Sequence, residues 1–187
     1  MLLFENESFE KTESSQIEKG TYENCRFSEI DFSSYNFSGF KFIDCEFIEC
    51  NLSLCNPNNA FFQNVKFDTC KMLGIHFEYA NSFGLEFSFE NCVLNHASFY
   101  QMKLKGIQFN NCLLHEVDFT EADLTQASFH SSDLTNALFD RTNLENADFR
   151  SASSYIIDPD KNKIKKAKFS ISGIPGLLVK YGIEISD

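Results

Sequence analysis

The stretch VDFTEADLTQASFHSSDLTNALFDRTNLENADFR, residues 117–150, decides the fold of this chain. A small or apolar residue followed two places later by Phe or Leu recurs in it at every fifth position. A period of five matches neither the 2.0 of a strand nor the 3.6 of a helix, so it indicates a short unit repeated at constant length. The recurring large residues are Phe119, Leu124, Phe129, Leu134, Phe139, Leu144 and Phe149.

Each unit can bury only two side chains and therefore cannot form a core alone. Ala122 and Leu124, for example, would point to the same side of a minimal strand. Asp, Asn, Ser and Thr fill the outward positions, where their side chains favour turns. Units of this kind must stack so that each coil covers the last. The sequence predicts an all-β solenoid whose interior ladder is the set of seven Phe and Leu residues above.

Composition limits the classes of function. At 187 residues and 43% hydrophobic, the chain corresponds to about one domain. The net charge of −11 disfavours direct nucleic-acid binding, which needs a basic surface. The start, MLLFENESFE, has no basic region typical of a signal peptide, and no apolar run approaches the roughly 20 residues of a membrane span. We expect a soluble, cytoplasmic protein without membrane contact.

Residues of one type recur twenty positions apart. Twenty is four units of five, so this spacing predicts four units per coil. The chain has seven cysteines, an odd number, which disfavours a disulfide framework. We expect reduced core cysteines rather than reactive or metal-binding thiols. The recurring sets are Cys25 and Cys45, Cys50 and Cys70, Cys92 and Cys112, Asn24 with Asp44 and Asn64, and Asn91 with Asn111.

The period divides the chain into three segments. Residues 1–19 do not hold it and are expected to cap the first coil, and residues 20–150 form the repeat. Pro57 occupies an inward position and predicts a local bulge or a displaced turn at Asn56–Asn59, because proline cannot donate to a ladder. From Phe77 to Phe89 the spacing is twelve, so two extra residues lie within about 79–88. Gly84 is the expected place for an unusual backbone angle.

Residues 151–187 differ in charge from the repeat. The first 150 residues carry 23 acidic and 10 basic side chains, whereas the tail carries 4 and 6. The tail predicts a helix with one apolar face ending at Gly182, followed by a short strand IEIS. We expect it to cover the open solenoid end. Its surplus of apolar residues also predicts a homodimer.

The units EADLT, TNALF and ENADF, starting at residues 121, 135 and 145, resemble the pentapeptide-repeat family. The resemblance implies a right-handed quadrilateral β-helix with a short C-terminal helix and strand. The tail DPDKNKIKKAKFSISGIPGLLVKYGIEI is similar to the ends of the Qnr quinolone-resistance proteins and of immunity proteins against microcin B17. The resemblance implies that this segment joins two solenoids end to end. The implied contact residues are Ile174, Leu177, Leu178, Tyr181, Gly182, Ile183 and Ile185.

The resemblance also implies a function. These relatives protect type II DNA topoisomerases (DNA gyrase or topoisomerase IV) from an inhibitor such as a quinolone or a peptide toxin, by imitating duplex DNA. The acidic solenoid would offer carboxylates in place of phosphates. For any one carboxylate a solvated turn residue is the simpler interpretation, and only their sum supports mimicry. The candidates are Asp118, Glu121, Asp123, Asp133, Asp140, Glu145 and Asp148.

Other classes of function have less support in the sequence. Four-sided stacking would place Glu116 over His96 with His115 beside it, but metal ligands need convergence, which a flat outer face does not favour. The chain has no glycine-rich phosphate loop, nucleophile elbow or zinc-ligand spacing. We therefore expect no enzyme activity, metal or cofactor. The alternative is a structural or scaffold pentapeptide-repeat protein that binds a different, non-topoisomerase partner, since fold does not fix function.

Overall fold

A computed structural model describes residues 2–186, and Met1 and Asp187 lie outside the described residues. The chain forms short parallel strands throughout its first 110 residues. The strands are β1 (Leu2–Glu5), β2 (Ser8–Glu10), β3 (Gly20–Glu23), β4 (Arg26–Ser28), β5 (Lys41–Ile43), β6 (Glu46–Ile48), β7 (Phe61–Gln63), β8 (Val65–Asp68), β9 (Phe87–Glu90) and β10 (Phe109–Asn110).

The strands and isolated bridges form the four faces of a solenoid. Face I stacks β1, β3, β5 and β7 in that order, and face II stacks β2, β4, β6, β8, β9 and β10. Faces III and IV hold single parallel bridges instead of strands. Face III runs through Asp31, Asn51, Lys71, Val93, Leu113, Asp133 and Ser153, and face IV through Asn36 and Asn56 and then His76, Ser98, Asp118 and Leu138. The predicted all-β β-helix with four units per coil is confirmed.

The register shows the predicted twenty-residue spacing directly. Thr21 pairs with Lys41, whereas Val65 pairs with Phe87, which places the two extra residues between β8 and β9. Gly84, in this insertion, has a φ of +64°, in the left-handed region that favours glycine. The amide ladder is also formed, since Asn64 Nδ2 donates to Asp44 Oδ1 at 2.6 Å.

Each coil turns at corners that L-residues adopt reluctantly. Glu116, Glu121 and Gln126, for instance, have φ of 56°, 58° and 63°. A left-handed backbone costs about 1–2 kcal/mol per non-glycine residue. The corner N–H donates to a carbonyl of the next coil, as Glu121 N does to Asp140 O at 2.9 Å. Stacking therefore holds conformations that an isolated unit would not keep.

The core is a set of stacked aromatic columns. On face II nine phenylalanines stack with centroids 4.6–5.3 Å apart, which spans roughly 40 Å. Alternation of Phe and Leu after residue 89 puts Phe on faces II and IV and Leu on faces I and III. Rings from the two Phe faces then meet edge to face, as Phe119 and Phe129 do at 5.8 Å and 81°. The predicted ladder residues Phe119, Leu124, Phe129, Leu134, Phe139, Leu144 and Phe149 are all buried in this core.

The solenoid extends beyond residues 20–150 at both ends. Strands β1 and β2, in the segment predicted as a cap, pair with β3 and β4 and form the first coil. That coil is short, because Leu2 pairs with Gly20 at a spacing of eighteen rather than twenty. At the other end Asp148 bridges to Lys168, and Phe169 stacks on Phe149 at 5.3 Å. The rod is longer than the repeat period alone predicts.

The bulge predicted at Asn56–Asn59 is absent from the structure, so that prediction was wrong. Asn56 bridges regularly to Asn36, and Ala60 N donates to Pro57 O at 2.8 Å as in the other turns. Proline lacks only the N–H that would bond the next coil. The irregularity lies one coil later, where residues Phe77–Tyr79 form a 3-10 turn.

The tail folds back onto the last coil. It contains a 3-10 turn at Ile171–Gly173, the short helix α1 at Pro175–Leu178, and a second 3-10 turn at Val179–Tyr181. Ile157 N donates to Gly176 O at 3.0 Å. A Cβ on Gly176 would lie 2.2 Å from Tyr155 O, so only glycine fits there.

The predicted strand IEIS is not formed, which corrects the C-terminal part of the fold prediction. Residues 183–186 are assigned to no strand, because a strand needs an adjacent edge and none of the described chain pairs with this segment. Gly182 does end the helical segment, with a φ of 59°. Within residues 2–186 no helix is long and apolar enough to cross a bilayer.

Candidate functional site

The seven predicted carboxylates are spread over the whole circumference of the rod. No single column stacks them, since the bridge partners of Asp123 and Asp148 are Asn143 and Lys168. Acidic side chains therefore alternate with neutral or basic side chains along the axis of the rod. Asp118, Glu121 and Asp140 lie on face IV or its corner, Asp123 and Glu145 on face I, Asp133 on face III and Asp148 on face II.

Several of these carboxylates hold their own turns. Asp118 Oδ1 accepts the N–H of Thr120 at 2.8 Å. Asp123 accepts from both the N–H and the hydroxyl of Thr125, at 3.1 and 2.6 Å. The spacing Asp-x-Thr is thus an Asx turn repeated around the coil. A structural role accounts for these residue types without any partner protein.

Basic side chains neutralise part of the acidic surface. Asp148 lies 2.7 Å from Arg150 Nη2 and 3.7 Å from Lys168 Nζ. The hydrogen bond from Arg150, with the Lys168 charge, lowers the pKa of Asp148 to about 2. Glu121 pairs with Arg141 at 2.7 Å. Such carboxylates are less available to an outside cation than their number suggests.

The second half of face IV is more acidic than the sequence alone indicated. Its first half carries the uncharged pairs Asn36 and Asn56, and Ser38 and Asn58. From His76 to Asp160, here called the acidic face, carboxylates follow one another along the rod. The spacing was a signal for Asp158 and Asp160, which lie forty residues after Asp118 and twenty after Asp140, whereas the register shift hid Glu78. The carboxylates on or beside it are Glu78, Glu116, Asp118, Glu121, Asp140, Asp158 and Asp160.

The tail closes the far end of the acidic face. Lys180 Nζ lies 2.7 Å from Asp158 Oδ1 and also pairs with Asp160. The hydrogen bond from Lys180 lowers the pKa of Asp158, and the two carboxylates together raise the pKa of Lys180. The tail is therefore anchored by charge as well as by the close approach of Gly176.

The histidines near the acidic face do not converge on one point. Glu116 Oε2 does lie over His96, 3.4 Å from Nδ1, but His115 Nε2 bonds Asp133 Oδ2 at 2.9 Å instead. Among residues 2–186, no three His, Cys, Asp or Glu side chains are grouped to hold a metal ion. These side chains form separate pairs rather than a coordination site.

The cysteines are buried and free, in the slot two places before the large residue. Cys45 Sγ lies 3.3 Å from Tyr22 O of the preceding coil. Burial raises the pKa of the Cys45 thiol to about 11 and that of Cys112 to about 12, so both stay protonated near neutral pH. Ser132 occupies the same slot and its hydroxyl donates to Phe109 O at 3.1 Å. This position therefore selects a small side chain whose thiol or hydroxyl can donate a hydrogen bond to a carbonyl of the preceding coil.

The predicted dimer residues fall into two groups. Leu177 is buried on its own coil, Leu178 is half-buried, and Gly182 ends the helical turns. The remaining apolar side chains of the tail are largely exposed, together with Ile171, which the sequence reasoning did not include. This exposed group comprises Ile171, Ile174, Val179, Tyr181, Ile183 and Ile185.

The chain is similar to known proteins in its repeat region and along most of its length. A family model described as a pentapeptide repeat region matches residues 83–149. No curated protein matches the chain. A trypsin-treated variant of QnrB1, described as a plasmid-mediated fluoroquinolone resistance protein, is similar at 21% identity and a TM-score of 0.48, covering 99% of this chain and 98% of that chain. HetL of the cyanobacterium Nostoc sp. strain PCC 7120, described as involved in heterocyst differentiation regulation, is similar at 14% identity and a TM-score of 0.46, covering 92% and 86%.

Proposed function

Since this chain carries a pentapeptide-repeat region at its centre, we propose that it is a cytoplasmic DNA-mimicking protein that binds DNA gyrase or topoisomerase IV. It would protect the enzyme from an inhibitor such as a quinolone or a peptide toxin. The observation that carries the proposal is a straight, acidic rod. The resemblance of residues 158–185 to the ends of topoisomerase-protecting relatives supports the choice of partner.

The dimensions of the rod suit a DNA-binding groove. One chain spans roughly 40 Å along the face II phenylalanines, so two chains end to end span roughly 80 Å. This equals about 24 base pairs at 3.4 Å each. The 23 acidic and 10 basic residues of the first 150 give roughly one net negative charge per 3 Å, against one per about 1.7 Å for duplex DNA. The rod carries about half the charge density of the ligand it would replace.

The acidic face is the part of the rod proposed to contact the topoisomerase. Seven carboxylates lie on or beside this face, although neutral residues such as Ser98 and Leu138 separate them along the column. A basic groove would gain most from this face, because electrostatic complementarity steers encounter and orients the partners. A variant that no longer binds the topoisomerase through this face should also lose the salt dependence of binding.

A supercoiling assay tests the function. Gyrase and topoisomerase IV would be assayed with and without a fluoroquinolone or microcin B17, over a range of concentrations of this protein. We expect the protein to restore activity to the inhibited enzyme. Indifference of both enzymes at micromolar protein, with and without inhibitor, would reject the proposal.

Charge reversal tests the face. In Glu121→Lys with Asp140→Lys, we expect protection to fall at least about tenfold, because two repulsive contacts replace two attractive ones. The matched control is Glu29→Lys with Glu49→Lys, two exposed glutamates stacked at the corner between faces II and III. Equal losses in both variants would mean that total charge, and not the acidic face, determines binding.

The exposed apolar group of the tail is proposed to join two copies of the chain. Residues 183–186 have no strand partner in the described chain, and Ile183 and Ile185 are more than half exposed. Pairing with the same segment of a second copy would satisfy their backbone and bury both side chains. Sedimentation velocity should show a dimer for the intact chain and a monomer for Ile183→Asp. A monomeric intact chain at micromolar concentration would reject the interface.

A further inference from the structure

A cleft of about 450 Å³ opens where the acidic face begins, and it is here called the corner cleft. It lies at the corner where the backbone departs from the left-handed conformation of the equivalent corners. Asn59 and Gln101, at equivalent corners, have left-handed φ of 55° and 57°, but Phe77–Tyr79 forms a 3-10 turn instead. The turn leaves the Tyr79 side chain 58% exposed at the rim. The departure from the repeat thus accompanies a concave surface at this corner.

Glu78 lies at the wall of the corner cleft, and only one of its two carboxylate oxygens has hydrogen-bond partners among the described residues. Its Oε1 is 2.9 Å from His76 Nδ1 and accepts the hydroxyl of Ser98 at 3.0 Å. Its Oε2 is shielded from solvent and has no hydrogen-bond partner among the described residues. A buried acceptor without a donor is unfavourable, and native proteins rarely leave one. Because Oε2 is shielded from solvent, a ligand in the cleft would meet the Glu78 carboxylate through its charge rather than through a bond to this atom.

The charge of the corner cleft selects a cation. Glu78, Glu116 and Asp118 line it, and no lysine or arginine does. Glu116 Oε2 faces His96 Nδ1 at 3.4 Å, and Asp118 uses Oδ1 for the N–H of Thr120. Carboxylates that converge on one concave surface focus their field and raise the local concentration of positive groups.

The rings of the corner cleft favour a flat cation. Tyr79 stacks on His76 with centroids 5.6 Å apart and planes at 21°, and Tyr100 is 38% exposed on the next coil. A guanidinium stacks on aromatic faces and offers several N–H donors in one plane, which an ammonium does not. We propose that the corner cleft binds an arginine side chain presented by a protein partner. The inference concerns one contact on the rod and does not require that the partner be a topoisomerase.

Nuclear magnetic resonance of the intact protein tests the proposal. The probe is N-acetyl-arginine N-methylamide, followed through the ring resonances of His76, His96, Tyr79 and Tyr100 at constant ionic strength. We expect saturable shifts at millimolar probe, as suits one side chain in a shallow cleft. N-acetyl-lysine N-methylamide should bind more weakly, and the uncharged citrulline analogue should leave the rings unshifted. No saturable shift with arginine, or equal shifts with citrulline, would overturn the proposal.

A pair of variants separates the cleft from general charge. Glu116→Gln should weaken arginine binding by about fivefold, since it removes one partly exposed carboxylate from the cleft. The matched control, Glu145→Gln, removes the same charge from face I and should change nothing. Equal weakening in both variants would overturn the proposal. Because the titration contains no topoisomerase, its failure and the failure of the proposed function are distinguishable.

Discussion

The same residue types have different roles in two parts of the chain, the regular run Val117–Arg150 and the irregular segment His76–Glu86. In the run, the Asp123 carboxylate accepts two donors from Thr125, and the corner keeps its left-handed turn. In the irregular segment, Glu78 Oε2 has no hydrogen-bond partner within residues 2–186, and Phe83 is 81% exposed. Where the period is kept, polar side chains stabilise the coil, and where it is broken one carboxylate oxygen is left unpaired among the described residues and one aromatic ring is left exposed. One substitution should therefore have effects of very different size in the two regions.

The largest effect is expected for Phe129→Asp in the regular run. Phe129 is buried between Phe109 and Phe149, with centroids 5.3 and 4.6 Å away. A carboxylate there would have no partner, so we expect a loss of about 4 kcal/mol or more in unfolding free energy. Urea denaturation followed by circular dichroism measures it.

Phe83→Asp makes the same chemical change in the irregular segment. Because Phe83 is exposed, we expect its unfolding free energy to stay within about 0.5 kcal/mol of the unchanged protein. A loss as large as that of Phe129→Asp would show that the insertion is packed as tightly as the run. The contrast between the two regions would then be wrong.

The regular run could be predicted from sequence because its signals are direct. A period of five requires stacking, and a spacing of twenty gives the coil size without any knowledge of contacts. The ends were harder to predict for a physical reason. Phe4 and Phe9 are five apart, but the first coil is two residues short, so they fall out of phase with Tyr22 and Phe27. At the other end Ile164 and Phe169 are in phase, among lysines that obscure the pattern.

The corner cleft could not be predicted from the same signals. A spacing of twenty would stack His76 on His96, but the insertion shifts the register so that His76 bridges to Ser98. That shift separates His76 from His96, whereas His96 and Glu116 keep the spacing of twenty and lie 3.4 Å apart. Side-chain pairing at the irregular corner depends on where two inserted residues are accommodated, and composition does not encode this. The predicted tail strand IEIS is not formed for a related reason, since none of the described chain offers an edge with which it could pair.

A medium effect should distinguish carboxylates that hold turns from those that do not. Asp123→Ala removes an acceptor for two donors of Thr125, and we expect it to cost about 1 kcal/mol of unfolding free energy. Glu116→Ala removes only an exposed contact with His96, and its cost should be below about 0.5 kcal/mol. Equal costs in urea denaturation would mean that the Asx turns do not stabilise the coil.

The smallest effect concerns the charge of Asp148 and depends on pH. Arg150 and Lys168 lower the pKa of Asp148 to about 2 in the folded protein, from an ordinary 3.8. A carboxyl whose pKa is lower in the folded state stabilises the fold above its unfolded pKa. That stabilisation is lost as pH falls from about 4 to about 2.

Asp148→Asn isolates this charge, because an asparagine oxygen can still accept the Arg150 N–H that Asp148 Oδ1 accepts at 3.1 Å. We expect the variant to melt about 2 °C below the unchanged protein near neutral pH, since both basic partners are exposed. The difference should narrow below about pH 4 and vanish near pH 2 in thermal melts. A difference that persists unchanged at low pH would assign the effect to geometry of the turn, and would place Asp148 with Asp123 among the residues that serve the coil.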